Sequence, residues 1–127
     1  MEASDFLPVW IALGAIPGAL SRYYLTLICA QRFNGDFPFG TLLINLSGAF
    51  GMGFSATVLQ KMSTEQWLNG LITVGFLGAY TTFSTYALDF ANLLKLGNFK
   101  RGLLYGLGSP VGGFLAVEMG IALAQHL

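Results

Sequence analysis

The 127-residue chain predicts an all-α integral membrane protein with four transmembrane helices, and three observations carry that reading. Charged residues make up 9% of the sequence and hydrophobic ones 54%, whereas an ordinary soluble domain is about a quarter charged. Six basic and six acidic residues cannot cover a water-facing surface. Four apolar stretches, approximately 6–30, 40–59, 67–94 and 102–127, each reach the roughly 20 helical residues needed to cross a bilayer core about 30 Å thick. The remaining polarity gathers in three short connections, Gln31 to Asp36, Gln60 to Glu65 and Lys95 to Arg101, as expected of antiparallel neighbours within one domain spanning 1–127. Long uninterrupted apolar runs require backbone groups satisfied inside each segment, which favours helices over a barrel.

Composition also excludes several functions. A formal net charge of zero leaves no basic stripe for a phosphate backbone, so nucleic acid is not an expected partner. Cys29 stands alone and reads as a small apolar filler, and the one histidine, His126, is penultimate, leaving no imidazole for a buried relay. The start, Met1 to Asp5, is acidic where a secretory signal is basic, so the first apolar segment is expected to stay in the mature protein. No nucleophile–base pair, metal set or phosphate loop points to an enzyme.

The first span begins near Trp10, which is expected to share an interface with Trp67 at the start of the third span. It carries Gly14 and Gly18 at four-residue spacing, as the fourth span carries Gly102 and Gly106, then Gly108 and Gly112. Between helices in lipid, small residues permit the close backbone approach that drives association. These pairs pack helices either within one chain or between copies. Arg22 lies well inside the first span, and a charge facing lipid at the bilayer centre costs at least about 2.5 to 3.5 kcal/mol. It either snorkels to the nearer interface or faces protein or water, where its fixed positive charge attracts an anion.

In the second span Thr41, Asn45, Gly48 and Met52 share one helical face. The Asn45 amide can bond a neighbouring helix or stand in for water around an ion. Ser63 or Thr64 is expected to cap the third span. Its middle, Gly75 to Tyr86, combines two glycines, four hydroxylic residues and four aromatics, a mixture able to unwind locally. Unwound backbone is tolerated in a membrane where it is buried or lines a cavity, and its free carbonyls can hold a cation. Phe83 and Tyr86 face roughly the same way, either packing as aromatics or turning their electropositive rims to a desolvated anion. The last span adds Tyr105 and Ser109 four residues apart; Asp89 and Glu118 either snorkel or pair with basic groups.

Three segments together resemble the small Fluc-type fluoride channels formerly associated with camphor resistance. They are Gly14-Ala15-Ile16-Pro17-Gly18-Ala19-Leu20-Ser21-Arg22-Tyr23, then Gly40-Thr41-Leu42-Leu43-Ile44-Asn45-Leu46-Ser47-Gly48, then Gly75 to Tyr86 around Thr81-Thr82-Phe83-Ser84-Thr85. The resemblance implies a passive, fluoride-selective channel that relieves fluoride toxicity, an antiparallel dual-topology dimer with two pores along the subunit interface, and a third helix broken near its middle. It further implies a structural sodium at the dimer centre, held by backbone carbonyls at positions matching Gly78 and Thr81. Fluoride contacts are implied for Asn45, Phe83 and Tyr86, with a polar track at Ser84 and Thr85. Thr41, Tyr105, Ser109 and Arg22 match further pore or vestibule positions, and Asp89 an acidic position near one mouth. The setting implied is the bacterial inner membrane.

The residues agree with that implication. A pore for a tightly hydrated anion must offer donors at close quarters without trapping it, and amide, hydroxyl and ring-edge groups are neutral donors or electropositive surfaces. The matched central positions include no titratable group, which favours a channel over a proton-coupled pump. Two departures stand out. The family usually has phenylalanine where this chain has Tyr86, whose hydroxyl either joins the polar track or occupies the ion's space. With loops on alternating sides, Arg32, Lys95, Lys100 and Arg101 oppose Lys61, a bias towards one orientation with both termini outside, so a heterodimer with an oppositely oriented relative stands beside the homodimer. Competing readings are a small proton-coupled multidrug exporter, which would need an acidic residue where the first span has Arg22, and a non-transporting assembly subunit in which the polar residues only join helices.

Overall fold

The computed structural model describes residues 2–127, all-helical apart from short connections. After a short 3-10 turn at Ala3–Phe6 come α1 (Leu7–Arg32) and α2 (Phe39–Lys61). The third span follows as α3 (Gln66–Asn69), a π-helical segment (Gly70–Leu77), α4 (Gly78–Tyr80) and α5 (Phe83–Lys95), and α6 (Phe99–Gln125) closes the chain. The four spans, Ala3–Arg32, Phe39–Lys61, Gln66–Lys95 and Phe99–Gln125, are each long and apolar enough to cross a membrane.

Hydropathy places these spans and misjudges some of their ends. The last helix starts at Phe99, ahead of the expected residue 102, because Asn98 stands at its N-cap and the charged pair Lys100 and Arg101 extends the helix beyond the apolar run. Neither Ser63 nor Thr64 caps the third span. Ser63 takes a left-handed φ of 49°, the Thr64 hydroxyl donates to the Leu59 carbonyl at 3.1 Å, and Glu65 occupies the N-cap position. At the start of the same connection Lys61 donates to the carbonyls of Ala124 and Gln125 at 3.1 and 3.3 Å, a cation on the negative end of the α6 dipole. Trp10 and Trp67 meet with ring centroids 4.7 Å apart, which fixes the start of α1 against the start of the third span.

The helices pack through missing side chains. A Cβ on Gly14 would collide with the Leu71 carbonyl, one on Gly18 with that of Phe76, and one on Gly75 with that of Ile11. Between α2 and α6, Gly53 faces the Val117 carbonyl and Gly120 that of Phe50 in the same manner. Since lipid is as apolar as leucine, contact between backbones supplies the attraction that water supplies in soluble cores. Correspondingly little apolar bulk is buried: Ile44, Leu59, Leu77, Leu93, Tyr105 and Ala124 form the core. Ile16, Leu104, Leu107 and Phe114 lie more than half exposed, an apolar exterior suited to acyl chains.

Candidate functional site

Helical geometry stops at two consecutive threonines. Thr81 has φ −81° and ψ 159°, and Thr82 φ −149° and ψ 120°, both extended, between the end of α4 and the start of α5. Extended residues inside an apolar span leave backbone groups without intrahelical partners, and each unsatisfied group costs several kcal/mol where water cannot reach. Side chains from other helices take them up.

Asn45, projecting from α2, does most of this. Its Nδ2 donates to the Thr82 carbonyl at 2.8 Å, and its Oδ1 accepts from the Thr82 N–H, also at 2.8 Å. The carboxamide thus pairs with Thr82 as a neighbouring strand would, and one of its two N–H bonds is left over. Gly48, one turn further along α2, makes room: a Cβ there would strike the Thr81 methyl. From α1, the half-buried Arg22 donates through Nη1 to the Thr81 carbonyl at 3.3 Å. The start of α5 is capped by Thr82, whose hydroxyl accepts from the Thr85 N–H at 3.2 Å and donates to the Thr85 hydroxyl at 3.1 Å.

Beside this interruption runs an open groove of about 410 Å³, lined by Asn45, Gly48, Met52, Thr81, Thr82, Phe83, Tyr86, Ser109 and Pro110 among others. Phe83 is 78% exposed, an aromatic ring on a face with no neighbour inside the chain to cover it. Its centroid lies 5.6 Å from that of Tyr86, which is 5.3 Å from Tyr105 and stacks on Phe90 at 6.4 Å. Ser84 and Thr85 are exposed at the start of α5, their hydroxyls gathered around that of Thr82, outside the groove lining.

The remaining candidates form a layer beneath. Tyr105 is 1% exposed, and its hydroxyl has no hydrogen-bond partner. Thr41, buried, donates to Asp89 Oδ2 at 2.7 Å, so Asp89 is bound to a hydroxyl on α2. Ser109 is buried yet reaches the groove wall. Glu118 is exposed on α6. The structure therefore brings together Asn45, Thr81, Phe83, Tyr86 and Ser109, joins Arg22 to them through a backbone carbonyl, and sets Thr41 and Tyr105 behind them. Thr82 and Pro110 were not singled out from sequence. The signal for Pro110 was available, since a proline inside a span leaves a carbonyl unpaired four residues earlier.

Backbone oxygen is the chemistry on offer to a cation. The Thr82 N–H, which in an unbroken helix would close onto the Gly78 carbonyl, donates to Asn45 instead, and the Thr81 carbonyl lies outside the helical ladder. Freed carbonyls at an interrupted helix suit an alkali cation. Among the described residues no three His, Cys, Asp or Glu side chains group together to hold a metal ion.

Known proteins of similar sequence share one family and one name. The family model described as CrcB-like protein, Camphor Resistance (CrcB), matches residues 9–121. A protein of Synechococcus named fluoride-specific ion channel FluC is 52% identical over 120 residues, covering 94% of this chain and 92% of its own. A Synechocystis protein of the same name is 48% identical, covering 100% of this chain and 98% of its own, and one from Chloroflexus aurantiacus is 40% identical, covering 91% and 92%.

Proposed function

The chain belongs to the CrcB family, and on that premise we propose that it is a fluoride-specific channel, a passive multi-pass membrane protein that lets a cell expel fluoride across its inner membrane. The observation that carries this reading is the groove: an exposed aromatic ring, a backbone-anchored carboxamide and a serine hydroxyl on one open face of a membrane bundle. Fluoride holds water tightly, so a pore must replace that water with donors while keeping the well shallow. The spare N–H of Asn45, the rim of Phe83 and the hydroxyl of Ser109 supply partial positive charge without a full charge. Arg22 contributes a positive potential near the same point from outside the groove lining.

A groove open on one side needs a second wall. In our reading an inverted copy of the chain supplies it, giving an antiparallel dimer with two pores, each with Ser84, Thr85, Thr41 and Tyr105 along its track. The third helix is broken at Thr81 and Thr82 so that the carbonyls of Gly78 and Thr81 from both copies can hold a sodium ion at the centre. That ion supplies a fixed positive charge and joins the subunits. What supports this reading is the extended backbone at both threonines and the diversion of the Thr82 N–H to Asn45.

The test is efflux from potassium-loaded liposomes containing the purified chain, with a potassium ionophore added to carry the balancing charge and fluoride and chloride compared at equal gradients. Fluoride is expected to leave rapidly while chloride stays. Equal efflux of both halides removes the claim of specificity, and silence for both removes the claim that the chain alone conducts.

A further inference from the structure

Tyr86 is the position where this chain departs from the phenylalanine usual in the family it resembles, and its hydroxyl has a definite partner. It donates to the main-chain carbonyl of Gly106 on α6. In an α-helix that carbonyl accepts from the N–H four residues later, which here would belong to residue 110. Residue 110 is proline, inside α6, and proline has no N–H. The Tyr86 hydroxyl thus reaches, from another helix, the one oxygen in this stretch of α6 that Pro110 leaves without its donor. Gly106 is buried, and a Cβ on it would press into the Phe90 ring, so water has little access to the carbonyl and an apolar substitute at position 86 would leave it unpaired.

We propose that Tyr86 is a positioning residue: its hydroxyl replaces the amide that Pro110 lacks, tying α5 to α6 and fixing the aromatic ring in the groove wall. This deepens the channel reading and rests on it for the ion path. The hydroxyl's single proton is committed to Gly106, so the oxygen presents only lone pairs to its other side and is no ligand for an anion. What Tyr86 offers the groove is its ring, held between Phe83 and Tyr105.

The test is a double-mutant cycle between positions 86 and 110, read by fluoride efflux and by thermal unfolding midpoint in detergent. Tyr86→Phe is expected to lower fluoride efflux roughly fivefold, the change equivalent to one net hydrogen bond, and to lower the midpoint. In a Pro110→Ala background position 110 again has an N–H for the Gly106 carbonyl, and both effects of Tyr86→Phe should largely disappear. Pro110→Leu provides a second background with the same restored amide should the alanine variant fold poorly. If Tyr86→Phe has the same effect with and without proline, the hydroxyl acts elsewhere and the tether is rejected. The thermal arm needs no transport, so a silent wild type would overturn the channel reading while the cycle still decides the tether.

Discussion

Along the π-helical segment of the third span, glycines let backbone touch backbone: Gly14 and Gly18 of α1 sit against the carbonyls of Leu71 and Phe76, and Gly75 against that of Ile11. Further along the same span, at Thr81 and Thr82, backbone groups are held by side chains instead, Thr82 by Asn45 and Thr81 by Arg22. In the seam the helical ladder runs on, apart from the N–H that Pro17 lacks inside α1, so what is chiefly required of a side chain is to be absent. In the groove the ladder is interrupted, and the Thr82 N–H and the carbonyls of Thr81 and Thr82 become demands on particular polar residues. The seam therefore reports on stability and the groove on function, and substitutions should divide accordingly.

The sharpest way to break this division is Gly14→Val. Bulk forced against the Leu71 backbone cannot be relieved by a rotamer change, and overpacking costs about 1 to 3 kcal/mol even where side chains can shift. Most of the monodisperse protein should vanish from size-exclusion chromatography in detergent; a normal elution peak would show that the seam is looser than described. Asn45→Asp should follow in size. A carboxylate cannot donate to the Thr82 carbonyl and repels an anion, so fluoride efflux should fall roughly 100-fold, the scale of a buried polar group left unpaired.

Phe83→Ile separates the two regions more finely. The ring is 78% exposed within the chain, so the intrachain fold loses little, while the loss of an electropositive rim should lower fluoride efflux roughly tenfold. A fall in folded yield matching that in efflux would place Phe83 with the seam. The smallest effect belongs to Gly108→Ala. Nothing lies within 4 Å of a Cβ there, and stability should stay within about 0.5 kcal/mol by thermal unfolding. A large loss would reveal a contact made by Gly108 outside this chain.

Much of the seam and part of the groove were legible in the amino-acid sequence. Four apolar runs of helical length fix four spans, because hydropathy measures the quantity the bilayer selects. It does not see caps, which is why α6 begins at Phe99 and why Ser63 and Thr64 do other work. The helical spacing of Thr41, Asn45 and Gly48 anticipated a shared face, and all three do look towards the third span or α5, through Asp89, Thr82 and Thr81. Which partner each would take was not legible, since Asn45 and Thr82 meet only after the whole bundle has formed. The tie from Tyr86 to Gly106 was half legible: Pro110 announces a free carbonyl at position 106, yet only the packing of α5 on α6 says which hydroxyl reaches it.

The central claim is that uncharged groups carry the ion, which makes the path passive. It is tested most directly by measuring fluoride efflux and internal pH together, in liposomes loaded with potassium fluoride, before and after adding a potassium ionophore. A passive channel leaves the fluoride held back by the voltage it generates until the ionophore carries potassium out, and no stoichiometric proton movement accompanies the release. Fast efflux without the ionophore, matched by an equal flow of protons, would contradict the account and identify a coupled transporter.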